Sequence, residues 1–354
     1  MTVSLLIQLL NQKHIATTTE NNRKKEFLKI LVSLKLKYKS MKQIPSVDLS
    51  KFVNGNEAQQ KEFIKELTDA WKDIGFVTVY NHGVSQDLID GFFDQIQKFF
   101  AFDVETKLKY EDFDNGGQRG YTSFGREHAK GFDTPDLKEF WQIGQEVTDG
   151  DDIVKEYCDN IYVDVLPEFN NTGRALYEAF EKAGAHLLRA IAIYMELDEH
   201  YFAKKIHNGN SILRAIHYPP IKEEPKKALR AEQHEDINLI TLLVGASAEG
   251  LQAQGVDGEW VTVMPPEGHL VINVGDMLQR LTNNVLRSTP HRVINPPKEK
   301  WHTDRFSIPF FLHPRSDMDL SCLESCINEE NPIAYEPITA GEYLQQRLRE
   351  IGLK

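Results

Sequence analysis

The stretch AEQHEDINLITLLVG, Ala231 to Gly245, sets an imidazole and two carboxylates ahead of a run of Ile, Leu and Val fit for burial. Two readings are open: a charged turn that caps a strand, or a pair of metal ligands. Residues i and i+2 of a β-strand project from one face, so His234 and Asp236 could present their side chains together, with Glu235 on the other side. A second His-x-acid pair, His302/Asp304, occurs, and with 12 His and 53 acidic residues chance alone supplies about two such pairs. Context separates them. His302/Asp304 follows NPPKEKW, a charged, proline-broken connection, has only His313 downstream, and reads as an exposed turn. His234/Asp236 leads into an apolar strand, and His291 follows 55 residues after Asp236, in STPHRVI, at the start of another apolar run. Two His and one carboxylate on one side of an iron leave positions open for an organic ligand and O2, the arrangement of non-haem Fe(II) oxygenases. A structural zinc site would close its shell instead.

RFSIPFF then offers Arg305 and Ser307, again i and i+2. A guanidinium and a hydroxyl on one face of an apolar strand call for a buried anion, either an acid of the protein or the carboxylate of a ligand. Tyr218, in IHYPP, is placed to add a phenol. Competing chemistries lack their signatures: HEDIN is not H-E-x-x-H, GASAE lacks the last Gly of a nucleophile elbow, and no G-x4-G-K-[ST] occurs.

The elements that must position these residues fall into two halves. Phe63, Ile64, Leu67, Ala70, Trp71 and Ile74 recur at helical spacing, with Gly75 at the C-cap position. FVTVYNH alternates as a strand, IPSVDL reads as a short one, and helices are expected at about Gln86 to Phe100 and Pro167 to Leu197. Asp112 to Gly131 reads as a long glycine-rich loop. From Leu213 the chain becomes a series of short apolar runs punctuated by Pro and Gly, the pattern of an antiparallel sandwich or barrel.

The chain has 354 residues, 41% of them hydrophobic, a net charge of −12 and a pI near 5.5, which argues against a nucleic-acid surface and for a small-molecule partner. No apolar run is long enough for a membrane span. Cys158, Cys322 and Cys326 are too few for a disulfide framework and point to a reducing compartment, the cytoplasm. Residues 1 to 40 carry +6, leaving −18 on the rest, and read as a dispensable extension ahead of a domain that begins at Met41.

The ordered set His234-x-Asp236, His291 and Arg305-x-Ser307 closely resembles the iron/2-oxoglutarate oxygenases of the isopenicillin N synthase-like superfamily. HYPP lies upstream of it, and IPSVDLS, WKDIGFVTVYNHGV, RGYTSFGRE and DLKEFWQIG fall in the first half. The resemblance runs from about Ile44 to Pro314. It implies an α+β fold, with a double-stranded β-helix (jelly-roll) core and a helix-rich N-terminal region packed on it. The implied boundaries are 41 to 205 for the N-terminal region, 206 to 315 for the core and 316 to 354 for a C-terminal helical tail. It implies Fe(II) on His234, Asp236 and His291, and 2-oxoglutarate held through Arg305, Ser307 and Tyr218. Ile216 stands where plant members often carry Asn. The expected reaction consumes O2, with ascorbate as a candidate reductant, and oxidises a small molecule by hydroxylation, desaturation or ring formation with release of succinate and CO2. Two alternatives stay open: an iron oxidase without 2-oxoglutarate, and an enzyme forming ethylene and succinate from 2-oxoglutarate. Tyr121, Phe124 and Phe311 are candidate substrate contacts.

Overall fold

The computed structural model describes residues 44–112, 117–128, 131 and 134–350; the expected extension at 1 to 40 lies outside them. After β1 (Ser46–Asp48) and α1 (Leu49–Val53), Asn56 opens α2 (Glu57–Asp73) with a reciprocal capping box. Its Oδ1 accepts from Gln59 N at 3.1 Å, and Gln59 Oε1 accepts from Asn56 N at 2.9 Å. The chain turns out of α2 at Gly75, whose φ is +71°, and a Cβ there would lie 2.1 Å from Thr289 Oγ1. Only glycine meets both demands. Then come β2 (Phe76–Tyr80), α3 (Gln86–Phe100), α4 (Val104–Leu108), β3 (Gly120–Thr122), β4 (Glu139–Gly144) and α5 (Pro167–Tyr194). The expected Asp112 to Gly131 loop therefore contains a strand. The long helix stops three residues short of Leu197, and the chain leaves it through Glu196 at φ 57°.

The short helix α6 (Ala203–Ile206) precedes the core strands β5 (Ile212–Tyr218), β6 (Ala231–His234), β7 (Ile240–Val244), β8 (Leu251–Gln254), β9 (Trp260–Thr262) and β10 (Leu270–Val274). After α7 (Asp276–Leu281) come β11 (His291–Val293), β12 (Arg305–Leu312) and the terminal helix α8 (Ala340–Glu350). One sheet has the order β1-β2-β10-β7-β12-β5-β4-β3 and the other β6-β11-β8-β9. Strands β5 to β12 thus make a jelly roll of two four-stranded layers, and strands of the first half extend one layer at both ends. The fold is α+β, as expected.

Alternation along the strands separates two interiors. On β12, Ile308, Phe310 and Leu312 face the layer of α3 and α5, where Leu176, Phe180 and Leu187 of α5 are also buried. Arg305, Ser307, Pro309 and Phe311 face inward between the sheets and line a cavity of about 220 Å³. Ile216, Tyr218, Ala253 and Val293 form a second apolar cluster that joins the sheets beside it. No helix of the described residues is long and apolar enough to cross a membrane.

Candidate active site

His234 ends β6 and His291 opens β11, and the antiparallel register sets the two directly opposite, with ring centres 4.4 Å apart. Asp236 does not share a strand face with His234, because β6 ends there. Asp236 comes in from the bend that follows, where its carbonyl accepts from Asp276 N at 2.9 Å. The bend also breaks the expected alternation at Glu235, which borders the cavity instead of facing away from it. Asp236 Oδ1 lies 3.9 Å from His234 Nε2 and 3.6 Å from His291 Nε2, and one donor atom from each residue falls within 4.8 Å of the others.

The atoms that face away from this point are all engaged. His234 Nδ1 donates to Glu232 O at 2.7 Å and His291 Nδ1 to Thr289 O at 3.1 Å, a tautomer that leaves the Nε2 lone pairs free. Asp236 Oδ2 accepts from Thr241 Oγ1 at 2.6 Å and from Asn273 Nδ2 at 2.8 Å. Thr241 Oγ1 in turn accepts from Asn238 Nδ2 at 2.8 Å. Asn238 packs so closely that a Cβ on Gly275 would fall 2.1 Å from its Oδ1. Burial, reinforced by His291, pushes the His234 imidazole down to about 4, so it is neutral. Burial alone would raise the Asp236 carboxyl, but the facing imidazoles and its hydrogen bonds hold it well below the usual range. Burial works against a charged His291, but Asp236 pushes that imidazole up. Two imidazole nitrogens and one carboxylate oxygen, each oriented from behind, suit a divalent metal that displaces any such proton and keeps open positions.

Arg305 lies deeper, only 1% exposed. Its Nε donates to Ala248 O at 3.1 Å, its guanidinium carbon sits 4.8 Å from the Tyr218 ring centre, and its Nη1 has no hydrogen-bond partner. No acid of the described residues pairs with it, so the alternative of an internal salt bridge falls away. Ser307 and Tyr218 line the same cavity, and Tyr218 stands opposite Arg305 in the β5–β12 register.

Of the expected substrate contacts, only Phe311 lines the cavity. Tyr121, on β3, turns into the core against Phe99, and its hydroxyl donates to Glu139 Oε2. Phe124 is half exposed and is not part of the cavity wall. The missed residues are polar: Gln118, Gln142, Asn210 and Arg214, with His313 at the end of β12. Burial, with Arg119 and Arg214 nearby, pushes His313 down to about 4. Asn273 and Thr241 were missed too, although a polar residue inside an apolar run such as HLVINVG is a signal in itself. His302 and Asp304 are exposed, and Asp304 Oδ1 lies 2.6 Å from Nε2 of the buried His217.

The family model for the N-terminal region of non-haem dioxygenases in morphine synthesis matches residues 44–164, and that for the 2OG-Fe(II) oxygenase superfamily matches residues 209–314. The chain is 32% identical over 303 residues to kihadalactone A synthase of Citrus sinensis, covering 81% of this chain and 87% of that protein. A crystal structure of a 2OG-Fe(II) oxygenase family protein from Caulobacter crescentus superposes with TM-score 0.79 at 44% identity, over 87% of this chain and 99% of that one. A full-length Neurospora crassa protein, solved in complex with alpha-KG and thymine, superposes with TM-score 0.76 at 32% identity, over 86% of this chain and 96% of that one. With its jelly roll and its His-x-Asp…His constellation, the chain belongs to the 2OG-Fe(II) oxygenase superfamily and is a non-haem Fe(II)- and 2-oxoglutarate-dependent dioxygenase.

Proposed function

We propose that His234, Asp236 and His291 hold the ferrous ion and that Arg305, with Ser307 and Tyr218, takes the distal carboxylate of 2-oxoglutarate. A small molecule in the rest of the cavity would then be oxidised at a C–H bond as succinate and CO2 form. When bound, the metal and co-substrate supply the activation of O2. The protein's part is to fix positions and exclude water. Thr241 and Asn273 keep Asp236 Oδ1 toward the metal position, the backbone carbonyls of Glu232 and Thr289 fix the imidazole tautomers, and the apolar cluster between the sheets closes the site's flank. The three cysteines, all unpaired, support a reducing compartment such as the cytoplasm.

One observation carries the co-substrate assignment: a guanidinium with no acid partner and a free Nη1, buried on the strand face that leads from the metal position. Removing one member of a buried, hydrogen-bonded ion pair costs roughly 3 to 5 kcal/mol. Arg305→Ala should therefore raise the 2-oxoglutarate concentration for half-maximal succinate release about a hundredfold or more. Arg305→Lys should recover only part of this, since an ammonium lacks the planar two-donor grip. Unchanged half-saturation in Arg305→Ala rejects the assignment.

A further inference from the structure

Beyond the metal and carboxylate positions the cavity continues along β4, β5 and β12 to an end formed by Gln118, Gln142, Asn210, Arg214, Phe311 and His313. Each charge on this wall is matched. Arg214 Nη1 donates to the two Glu127 oxygens at 3.3 and 3.2 Å, and Lys138 lies 2.7 Å from Glu127 and 2.8 Å from Asp136. Gln142 is engaged at both ends: its Oε1 accepts from Arg214 Nε at 3.0 Å and its Nε2 donates to Gly117 O. A ligand with a net charge would find no free counter-charge here.

One cation behind the wall is unmatched. Arg119 is 1% exposed and donates to Gln118 O at 2.8 Å and to Asn210 Oδ1 at 3.4 Å, its Nε has no partner, and no acid of the described residues pairs with it. A guanidinium has donors and no acceptor, so Asn210 must turn its oxygen to Arg119 and keep its Nδ2 hydrogens for the cavity. Arg119 therefore acts on the cavity through an oriented amide dipole. A neutral His313 beside it offers one donor and one acceptor, and no hydrogen bond among the described residues engages its ring; the bonds it makes are from its backbone.

We infer that this end of the cavity selects an uncharged substrate bearing a cyclic amide or imide, as in a pyrimidine ring, whose carbonyl accepts from Asn210 Nδ2 and whose ring N–H donates to the acceptor nitrogen of His313. This rests on the proposal that iron and 2-oxoglutarate occupy the other end.

The test adds thymine, 1,3-dimethylthymine or orotate, the same ring with a carboxylate, to the Fe(II)-loaded enzyme with 2-oxoglutarate and O2. Succinate release and thermal shift are both read. Thymine should raise succinate release several-fold and raise the melting temperature, the dimethyl compound should do so weakly, and orotate not at all. Asn210→Asp gives Arg119 a counter-ion and removes the Nδ2 donor, so it should melt no lower than wild type yet need at least about tenfold more thymine for half its effect. Asn210→Ala should weaken the thymine response in the same direction. Preference for orotate, silence from both neutral probes, or an undiminished thymine response in Asn210→Asp overturns the inference. Iron-dependent succinate release without any probe is read separately in the same assay, and its absence would sink the oxygenase-site proposal itself.

Discussion

Asp236 divides its two oxygens between two tasks. Oδ2 is taken by Thr241 and Asn273, and Oδ1 faces the two imidazoles. A carboxylate free to rotate would offer either oxygen, so the donors behind it preset the geometry for the metal we propose there. Partners of this kind typically change metal affinity by 10- to 100-fold, and Asn273→Ala should weaken Fe(II) binding by about that factor in competition with a chelator. Thr241→Val should act in the same direction, with the added cost of leaving Asn238 Nδ2 without its acceptor. His234→Ala, Asp236→Ala and His291→Ala should each be isolated without stoichiometric iron. His302→Ala should keep it, because the exposed His302 lies outside the cavity. Metal analysis giving the reverse pattern would show that the other His-x-Asp pair binds iron.

At the scale of elements, what the sequence made legible was whatever one element decides for itself. Helical spacing gave α2, α3 and most of α5, and period-2 alternation gave the face of β12 that carries Arg305 and Ser307. The His pair was legible because two ligand types opened or closed apolar runs. What stayed hidden depends on contacts between distant segments. Tyr121 stands in a glycine-rich stretch suited to a substrate loop, yet β3 pairs with β4 and brings it to Glu139, where Lys107 Nζ also lies 2.8 Å away and His217 Nδ1 2.7 Å away. Three polar partners converge on that buried carboxylate, and no spacing rule announces them. A C-terminal helical tail was expected, but the place of helix α8 was equally hidden: Leu344, Arg347 and Leu348 line the cavity although the helix begins 49 residues after His291. Its Tyr343 donates to Asp276 Oδ2 at 2.9 Å, and Arg347 Nε lies 3.4 Å from the same oxygen. Ending the chain before Ala340 should therefore lower the melting temperature by several degrees, since it strips a buried carboxylate of two partners at about 1 to 3 kcal/mol and uncovers apolar surface. An unchanged melt would show that α8 is not part of the folded unit.

For the molecule as a whole, acidity acts through its buried imidazoles and carboxylates in different pH windows. Asp236 and Glu127 are held below the ordinary carboxylate range, Glu127 at about 2 because Arg214 and Lys138 outweigh its burial, so their contribution survives until the pH falls below about 4. His313 acts earlier. Burial, with Arg119 and Arg214 nearby, pushes its imidazole down to about 4, whereas in the unfolded chain it titrates near 6.5. Below pH 6.5 the unfolded chain therefore binds a proton that the folded chain refuses, and stability falls with pH until about 4, where the folded imidazole charges too. His82 and His186, also pushed down by burial, add to the same slope. One and a half pH units below 6.5, His313 alone accounts for roughly 2 kcal/mol. Urea unfolding of wild type and of His313→Gln at pH 7 and pH 5 isolates this share, because the other groups are common to both proteins. Wild type should lose about 2 kcal/mol more than the variant between the two pH values, and equal losses would mean that His313 carries its proton inside the folded cavity.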